Sequence, residues 1–477
     1  MPAEFNCDVK SPSTPFPHFW EHTVGSGHAT LTLRADWQQQ LTRCHNELGF
    51  KHVRFHGILS DDMGTLMCEM EQLVYSFFNA DQMCDFLMSI GMAPFIEFSF
   101  MPTTLSSGND IVFHYRGNVT PPRDYAAWQM LIHHLVQHWV DRYGVENMGE
   151  WFFEVWNEPN LDAFWKGSQQ DYFKLYQYTA AAVKGVNPHL KVGGPATAGN
   201  AWVPEFRAFC EKNNVPYDFI STHHYPTDAF GQPGDDTVAQ LAASRRSVLR
   251  EQVATTRQNV GNVPVYYTEW STSSNPFDEL HDMPYAAAFI TKTVMEAQGY
   301  VQGYSYWTFT DIFEENYFSS TPFHGGFGLM NIYGVPKPAY RTYELLHRLG
   351  EEILPVQGQH ATVDAWVVPK PGIVHVLLTN SELPRHAVDT ENVTITLNNT
   401  VQVKNVYVER VDDTHANATA AWVQMGKPSS LSKQQVQALE EASNLVKEAV
   451  SYTMQNNILS LQIQLLPQAT ALITIEI

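Results

Sequence analysis

The chain has 477 residues and a formal net charge of −21, with 29 Lys and Arg against 50 Asp and Glu. This acidic balance argues against nucleic acid and anionic membranes as partners, because phosphate contacts need clustered basic residues. Hydrophobic residues make up 44% and aromatic residues 13% of the chain, which predicts a large buried core and excludes a disordered protein. The length fits a barrel with a smaller module.

Five cysteines, at positions 7, 44, 68, 84 and 210, show no CxxC pair and no repeated spacing. An odd, scattered set in a chain of this size predicts reduced thiols. The first 16 residues have neither a basic start nor an apolar run, and no later stretch of about 20 apolar residues occurs. We therefore expect no signal peptide, no membrane span and a cytoplasmic location.

Strand-like and helix-like segments alternate from residue 18 to about residue 345. The first strand is followed by Gly25-Ser-Gly-His28, which we interpret as a tight turn rather than a phosphate loop, because no Lys-Ser or Lys-Thr follows. The eight predicted strands are residues 19–24, 52–57, 94–99, 151–158, 191–195, 219–225, 265–270 and 304–309. The predicted helices are residues 36–48, 69–90, 125–143, 172–186, 238–260 and 285–297. This alternation predicts an α/β fold of the (β/α)8 barrel type.

The pattern changes after residue 348. Short alternating runs rich in Val, Thr, Leu and Ile occupy residues 361–380, 391–410 and 458–477, which is typical of a β-sandwich. One helix interrupts them, with Ser432 and Gln435 as a capping box. We predict a catalytic barrel over residues 16–348 and a β-sandwich accessory domain over residues 349–477, with residues 1–15 as a further candidate part of the sandwich.

Two glutamates terminate buried strands. The aromatic run that begins at Trp151 stops at Asn157-Glu158-Pro159, and proline cannot donate to a sheet ladder. A second run of β-branched and aromatic residues begins at Val265 and leads to Glu269. Active sites of (β/α)8 barrels lie at the carboxyl ends of the strands, and both glutamates fall there. Cleavage of a glycosidic bond typically uses two carboxyl groups, so the pair predicts a glycosidase.

Several motifs together resemble glycoside hydrolase family 39, a retaining family. They occupy residues 53–57, 61–63, 101–104, 153–161, 221–225, 268–270, 306–307, 311–315 and 323–329, with weaker matches at 410–412 and 422–426. These motifs span nearly the whole barrel in the family's order. The Asn-Glu-Pro motif alone would indicate only the larger clan of barrel hydrolases.

This resemblance implies a role for each matching residue. Glu158 would be the general acid/base and Glu269 the nucleophile, while Asn157 would bond the sugar 2-hydroxyl. The other residues that it implies in substrate binding are His56, His223, Tyr225, Trp307 and Glu314 or Glu315. The sequence does not choose between the last two. The implied activity is that of a retaining exo-glycosidase, a β-xylosidase that releases xylose from short xylo-oligosaccharides without a cofactor, and self-association is also compatible with the family.

Alternative interpretations exist for several of these features. The same barrel could act on an α-L-arabinoside, a β-galactoside or an α-L-iduronide, or the chain could be a sugar-binding protein without activity. An iduronidase needs basic residues at the substrate carboxylate, and the sequence shows no such cluster, although the positions of Arg54, Arg116 and Lys166 are left open. His223 and His224 could be a metal pair, but adjacent strand residues face opposite ways, so we expect no metal. The alternative for both His56 and Trp307 is that they are core residues.

Overall fold

The computed structural model describes residues 2–227, 236–315 and 319–477. Its centre is a closed barrel of eight parallel strands, in which each strand pairs with the next along the chain and the last pairs with the first. This confirms the predicted barrel. The strands, labelled β1 to β8, are Thr23–His28, His52–His56, Ala93–Phe98, Phe152–Val155, Lys191–Thr197, Phe219–His224, Val265–Trp270 and Gly303–Tyr306.

The first strand differs from its prediction. Phe19–Glu21 form a turn of 3-10 helix, and Gly25-Ser-Gly-His28 is the strand itself instead of the turn after it. The glycines are explained by packing, since a Cβ at Gly25 would lie 2.5 Å from Cε3 of Trp307 on the neighbouring strand end. The interpretation of this segment as a tight turn was therefore wrong.

Nine helices of the described barrel region connect and cover the strands. They are labelled α1 to α9 and are Ala35–Leu48, Phe78–Ser89, Tyr125–Tyr143, Gln169–Val186, Val203–Asn213, Thr237–Ala243, Val248–Val260, Pro284–Glu296 and Pro338–His347. Residues 69–90 are not helical throughout, because a hairpin of Leu66–Glu69 and Gln72–Tyr75 precedes α2. The predicted helix over 238–260 is divided into α6 and α7, and α5 and α9 were not predicted.

The accessory region consists of two sheets. One contains Ala3–Asp8, Glu391–Asn398, Ile458–Leu465 and Tyr452–Gln455, and the other contains Val363–Lys370, Ile373–Asn380, Ala469–Glu476, Asn405–Val411 and Glu448–Ala449. Side chains from both sheets share one apolar core. The parallel pairing of Ala3–Asp8 with Glu391–Asn398 places the amino-terminal segment in this region. The exact boundaries at residues 16 and 348 stay predictions.

Two helices of the accessory region, α10 (Ala418–Gln424) and α11 (Lys433–Ser443), interrupt these strands. The capping box of Ser432 and Gln435 forms as predicted. All five cysteines are free thiols, as their spacing predicted. No helix in the described ranges combines the length and the apolar character that crossing a membrane requires.

The barrel interior is layered. Phe95, Phe152 and Phe219 fill the amino-terminal end, with Phe95 and Phe152 stacked at 5.0 Å. The parallel register pairs Phe152 with Phe95 and Glu154 with Glu97. Because alternate strand residues face the same side, the two glutamates lie one step above this aromatic floor. The apolar floor thus closes the barrel beneath a buried charged layer.

Candidate active site

Glu158 lies just beyond the carboxyl end of β4, in a tight backbone turn. Its φ is +43° and that of Trp156 is +70°, a region that costs non-glycine residues about 1–3 kcal/mol each. The Glu158 N–H donates to the carbonyl of Ala196 at 2.8 Å, which fixes the turn against the end of β5. The strained turn directs the Glu158 side chain into a cavity at the mouth of the barrel, where only 6% of the residue is exposed.

Glu269 lies near the end of β7 and receives two strong hydrogen bonds. Nη1 of Arg54 donates to Oε1 at 2.6 Å, and the Tyr225 hydroxyl donates to Oε2 at 2.9 Å. Both contacts stabilise the ionised carboxylate. An oxygen of Glu269 and one of Glu158 lie within 4.8 Å of each other. This short approach of two oxygens agrees with retaining glycosidases, whose carboxyl groups are about 5–5.5 Å apart, rather than with inverting enzymes, whose carboxyl groups are about 6.5–9.5 Å apart.

A chain of hydrogen bonds beneath Glu158 determines which ring nitrogen of a neutral His223 carries the hydrogen. The Thr268 hydroxyl donates to Oε1 of Glu154 at 2.7 Å, so its oxygen accepts from Nε2–H of His223 at 3.1 Å. In a neutral imidazole the other nitrogen is then an acceptor. This acceptor, Nδ1, lies 2.9 Å from Oε1 of Glu158. The network therefore assigns the intervening proton to the Glu158 carboxyl group.

The electrostatics of the two side chains agree with this assignment. Burial, and then the negative charge of Glu269, raise the pKa of Glu158 well above its ordinary value. Burial, and then the charge of Arg54, lower the pKa of His223 well below its ordinary value, so this imidazole is neutral. A neutral histidine and a protonated glutamic acid share one hydrogen bond beside an ionised Glu269. The site thus holds one carboxylic acid and one carboxylate, as acid catalysis with a nucleophile requires.

Arg54 organises the floor of the site and is fully buried. Its guanidinium contacts Glu97, Glu154 and Glu269 at 2.6 Å each and donates to Oδ1 of Asn157 at 3.0 Å. Four acceptors in fixed directions match the rigid fork of arginine. Arg54 lies in one of the predicted motifs without a predicted catalytic function, and no site function was predicted for Glu97, Glu154 or Thr268. The alternation of Arg54 and His56 along β2 was the available signal, because both must face the interior.

His56 joins this charged layer to the cavity. Its Nδ1 contacts Oε2 of Glu97 at 2.8 Å, and its Nε2 lies 3.3 Å from Oε1 of Glu315. Burial opposes a charge here, but these carboxylates, led by Glu97, raise the pKa of His56 to about 10. The ring also contacts that of Trp307, with centroids 4.9 Å apart. His56 is thus part of the site and carries a paired positive charge.

The cavity above these groups has a volume of about 540 Å³. Its lining residues among those described are His56, Val112, Phe113, Asn157, Glu158, Leu161, Asp162, Ala163, Phe164, Tyr225, Glu269, Ser274, Pro276, Trp307, Glu315 and Phe327. Seven of the nine predicted site residues are in this set. His223 lies beneath it as described above.

Glu314 is the predicted residue that the structure places elsewhere. Its Oε1 contacts Nδ1 of His28 at 3.1 Å, and the His28 ring stacks on Tyr115 at 3.7 Å. The two adjacent side chains have different surroundings, since Glu315 faces the cavity while Glu314 contacts His28. The sequence left the two glutamates open, and the structure selects Glu315 as the lining residue.

A (β/α)8 barrel whose strand ends present a protonated glutamic acid and an ionised glutamate within 4.8 Å defines a glycoside hydrolase of the retaining type. Comparisons with known proteins agree. The family model described as "Glycosyl hydrolases family 39" matches residues 4–458. The chain belongs to glycosyl hydrolase family 39, as its motifs predicted.

Three relatives illustrate the extent of the similarity. The chain is 47% identical over 464 residues to a protein of Caldicellulosiruptor saccharolyticus named beta-xylosidase, covering 96% of this chain and 95% of that protein. It is 38% identical over 443 residues to a beta-xylosidase of Geobacillus stearothermophilus, covering 90% and 86% of the two chains. The crystal structure of a family 39 enzyme from Xanthomonas axonopodis pv. citri superposes with a TM-score of 0.88 at 33% identity, covering 100% of this chain and 97% of that one.

Proposed function

We propose that the protein is a retaining β-xylosidase that removes xylose from the non-reducing ends of short xylo-oligosaccharides. The observation that carries the mechanism is the separation of less than 4.8 Å between the carboxyl oxygens of Glu158 and Glu269. The assignment of xylose as the sugar is supported by 47% identity over nearly the whole chain to a relative named beta-xylosidase. The five free thiols are compatible with a reducing compartment, and a cytoplasmic location stays our prediction.

In the first step, an ionised Glu269 oxygen attacks the anomeric carbon while the bond from that carbon to the leaving oxygen breaks. Glu158 gives its proton to the leaving oxygen, which departs as an alcohol. The product is a covalent ester between Glu269 and xylose. Arg54 fixes Oδ1 of Asn157, which leaves the amide N–H groups to donate to the sugar 2-hydroxyl.

In the second step, the ionised Glu158 removes a proton from water while the water oxygen attacks the anomeric carbon. The ester bond to Glu269 breaks, and both carboxyl groups return to their starting protonation states. His223 supports the cycle because its Nδ1 accepts from Glu158 when that group is protonated. Two displacements at one carbon retain the anomeric configuration.

The lining of the cavity supports a neutral sugar over an iduronide. No Lys or Arg is among the described lining residues. Arg54 lies behind them and is engaged by carboxylates, Arg116 lies at a different cavity, and Lys166 pairs with Asp162. In this lining a uronic acid carboxylate would find carboxyl groups, including that of Glu315, and no Lys or Arg among the described residues. Burial of an unpaired charge is strongly unfavourable.

The test is a comparison of initial hydrolysis rates on aryl glycosides, namely β-xyloside, α-L-arabinoside, β-galactoside, β-glucoside and α-L-iduronide. We expect kcat/KM to be highest for the β-xyloside. We also expect the protein to shorten xylo-oligosaccharides from the non-reducing end. A higher kcat/KM for another sugar would leave the two-glutamate mechanism in place but contradict the assignment of a xyloside as the substrate. A folded protein that binds these sugars without turnover would identify it as a sugar-binding protein.

A further inference from the structure

A second cluster of titratable side chains lies at the amino-terminal end of the barrel, away from Glu158 and Glu269. His18 and Glu21 belong to the turn before β1, and His347 is the last residue of α9. Nδ1 of His18 and Nδ1 of His347 approach the same atom, Oε1 of Glu21, at 2.6 and 2.8 Å. The three ligand atoms all lie within 4.8 Å of one another.

The surroundings of His18 require a proton or a metal ion between its Nδ1 and Oε1 of Glu21. Nε2 of His18 lies 3.2 Å from the backbone carbonyl of Gly350, and a carbonyl only accepts, so Nε2 carries a hydrogen. In a neutral imidazole Nδ1 then carries a lone pair and no hydrogen. That lone pair would face the oxygen of Glu21 at 2.6 Å, which is repulsive unless a proton or a metal ion separates the two atoms.

We propose that His18, Glu21 and His347 bind a divalent transition metal ion through Nδ1, Oε1 and Nδ1. Two imidazoles and one carboxylate are ligands that Zn²⁺ and its neighbours accept, with water in a fourth position. The bond from Nε2 of His18 to a backbone carbonyl is the second contact that metal-ligating histidines usually make. Tetrahedral zinc holds neighbouring ligand atoms roughly 3.3 Å apart, so each Nδ1 needs to move away from Oε1 of Glu21 by less than about 1 Å.

The site is accessible and its surroundings favour a cation. It borders a cavity of about 720 Å³ that is also lined by Glu351, Glu352 and Lys370, so carboxylates outnumber amines there. The His347 side chain is 39% exposed, which gives an ion a route to the ligands. The expectation of no metal was based on the adjacent pair His223 and His224 and on the lack of any other ligand cluster evident in the sequence. Glu21 and His347 are 326 positions apart, and only the fold brings them together.

The bound ion would join the segment that enters the barrel to the helix that leaves it. Because the unfolded chain does not hold these ligands together, metal binding stabilises the folded state by mass action. The cluster lies at the opposite end of the barrel from the cavity that holds Glu158 and Glu269. Its effect is therefore expected on thermal stability and not on kcat.

The experiment titrates the chelator-treated full-length protein with ZnCl2 or MgCl2, and follows binding by calorimetry and unfolding by temperature. We expect Zn²⁺ but not Mg²⁺ to raise the Tm. His347→Ala and His347→Gln should each weaken the stabilising Zn²⁺ binding at least tenfold, while their metal-free Tm stays close to that of the wild type. His189→Ala, at an exposed histidine elsewhere, should bind as the wild type does.

Zinc at the active site must be separated from this effect, because atoms of Glu158, His223 and Glu269 also lie within 4.8 Å of one another. Hydrolysis assays in the same titration report that second binding event, which should inhibit wild type and His347→Ala equally. Equal Zn²⁺ affinity and equal Tm rise in wild type and both His347 variants would overturn the proposal. A wild-type Tm that does not respond to millimolar Zn²⁺ would also overturn the proposal. It would show that protons, and not a metal ion, lie between these side chains.

Discussion

Nδ1 of His223 lies 2.9 Å from Oε1 of Glu158 and accepts the hydrogen bond of that carboxyl group. The same nitrogen is 3.6 Å from Oε2 of Glu269. A neutral acceptor between an acid and a carboxylate favours the arrangement in which Glu158 keeps its proton and Glu269 stays charged. We therefore infer that His223 is a positioning residue that acts through Glu158.

Replacement of His223 by Ala is expected to change the pH dependence of hydrolysis. The hydrogen bond stabilises the protonated form of Glu158, so its loss lowers the Glu158 pKa. Activity needs that proton and falls as pH rises through this pKa. The descending limb of the pH profile of kcat/KM should thus move to lower pH by about one unit. His223→Gln, whose carbonyl can still accept, should move it less. An unchanged limb in both folded variants would contradict this role.

Glu158→Gln should remove acid and base catalysis while preserving the shape of the side chain. We expect kcat on alkyl xylosides and xylobiose to fall by about 10²–10⁴-fold, because their leaving groups need the proton. Cleavage of a dinitrophenyl xyloside needs little acid assistance, so its first turnover should be fast and the subsequent hydrolysis slow. Stopped-flow kinetics would show this burst. Equal losses on both kinds of substrate would argue against Glu158 as the acid.

Arg54→Lys is expected to destabilise the protein and to reduce its activity. Lysine keeps the charge but cannot contact Glu97, Glu154 and Glu269 together in the geometry of a guanidinium. Because the cluster is fully buried, we expect the free energy of unfolding to fall by about 3 kcal/mol. Urea unfolding measures this change. Arg34→Lys, at the half-exposed pair with Asp36, is the control and should be nearly neutral. Similar losses in both variants would contradict the account.

Glu314 and Glu315 form a matched pair of adjacent glutamates with different surroundings. Glu315 lines the cavity beside His56, whereas Glu314 contacts His28. Glu315→Gln should lower kcat/KM for xylosides by about 10–100-fold, as expected for loss of a charged hydrogen bond. Glu314→Gln should leave kcat/KM within a small factor of the wild type. The reverse order of effects would show that the cavity has been assigned to the wrong glutamate.

Much of the barrel was predictable because its strands are short apolar runs with clear boundaries. The β7 segment was predicted at its observed bounds, and Glu158 was expected at a strand end because Pro159 stops the ladder. The β1 strand was misplaced because its glycines favour a turn by local preference. Close packing against Trp307 overrides that preference, and a single sequence does not reveal which side chain will approach.

The two glutamates of the site were predictable from the strand ends on which they lie, but their surroundings were not. The contacts of Arg54 with Glu97, Glu154 and Glu269 join four strands that are far apart in the chain. Composition and spacing do not encode such contacts, since they arise only when the barrel closes. The choice of Glu315 over Glu314 likewise depends on the orientation of one short segment.

In the proposed mechanism Glu269 forms a covalent bond to the sugar. The most direct measurement is inactivation by a 2-deoxy-2-fluoro-β-xyloside with a good leaving group, followed by proteolysis and mass spectrometry of the labelled peptide. We expect one fluoroxylosyl group per chain, on the peptide that contains Glu269 and on that side chain. Label on Glu158 or on any other residue would contradict it.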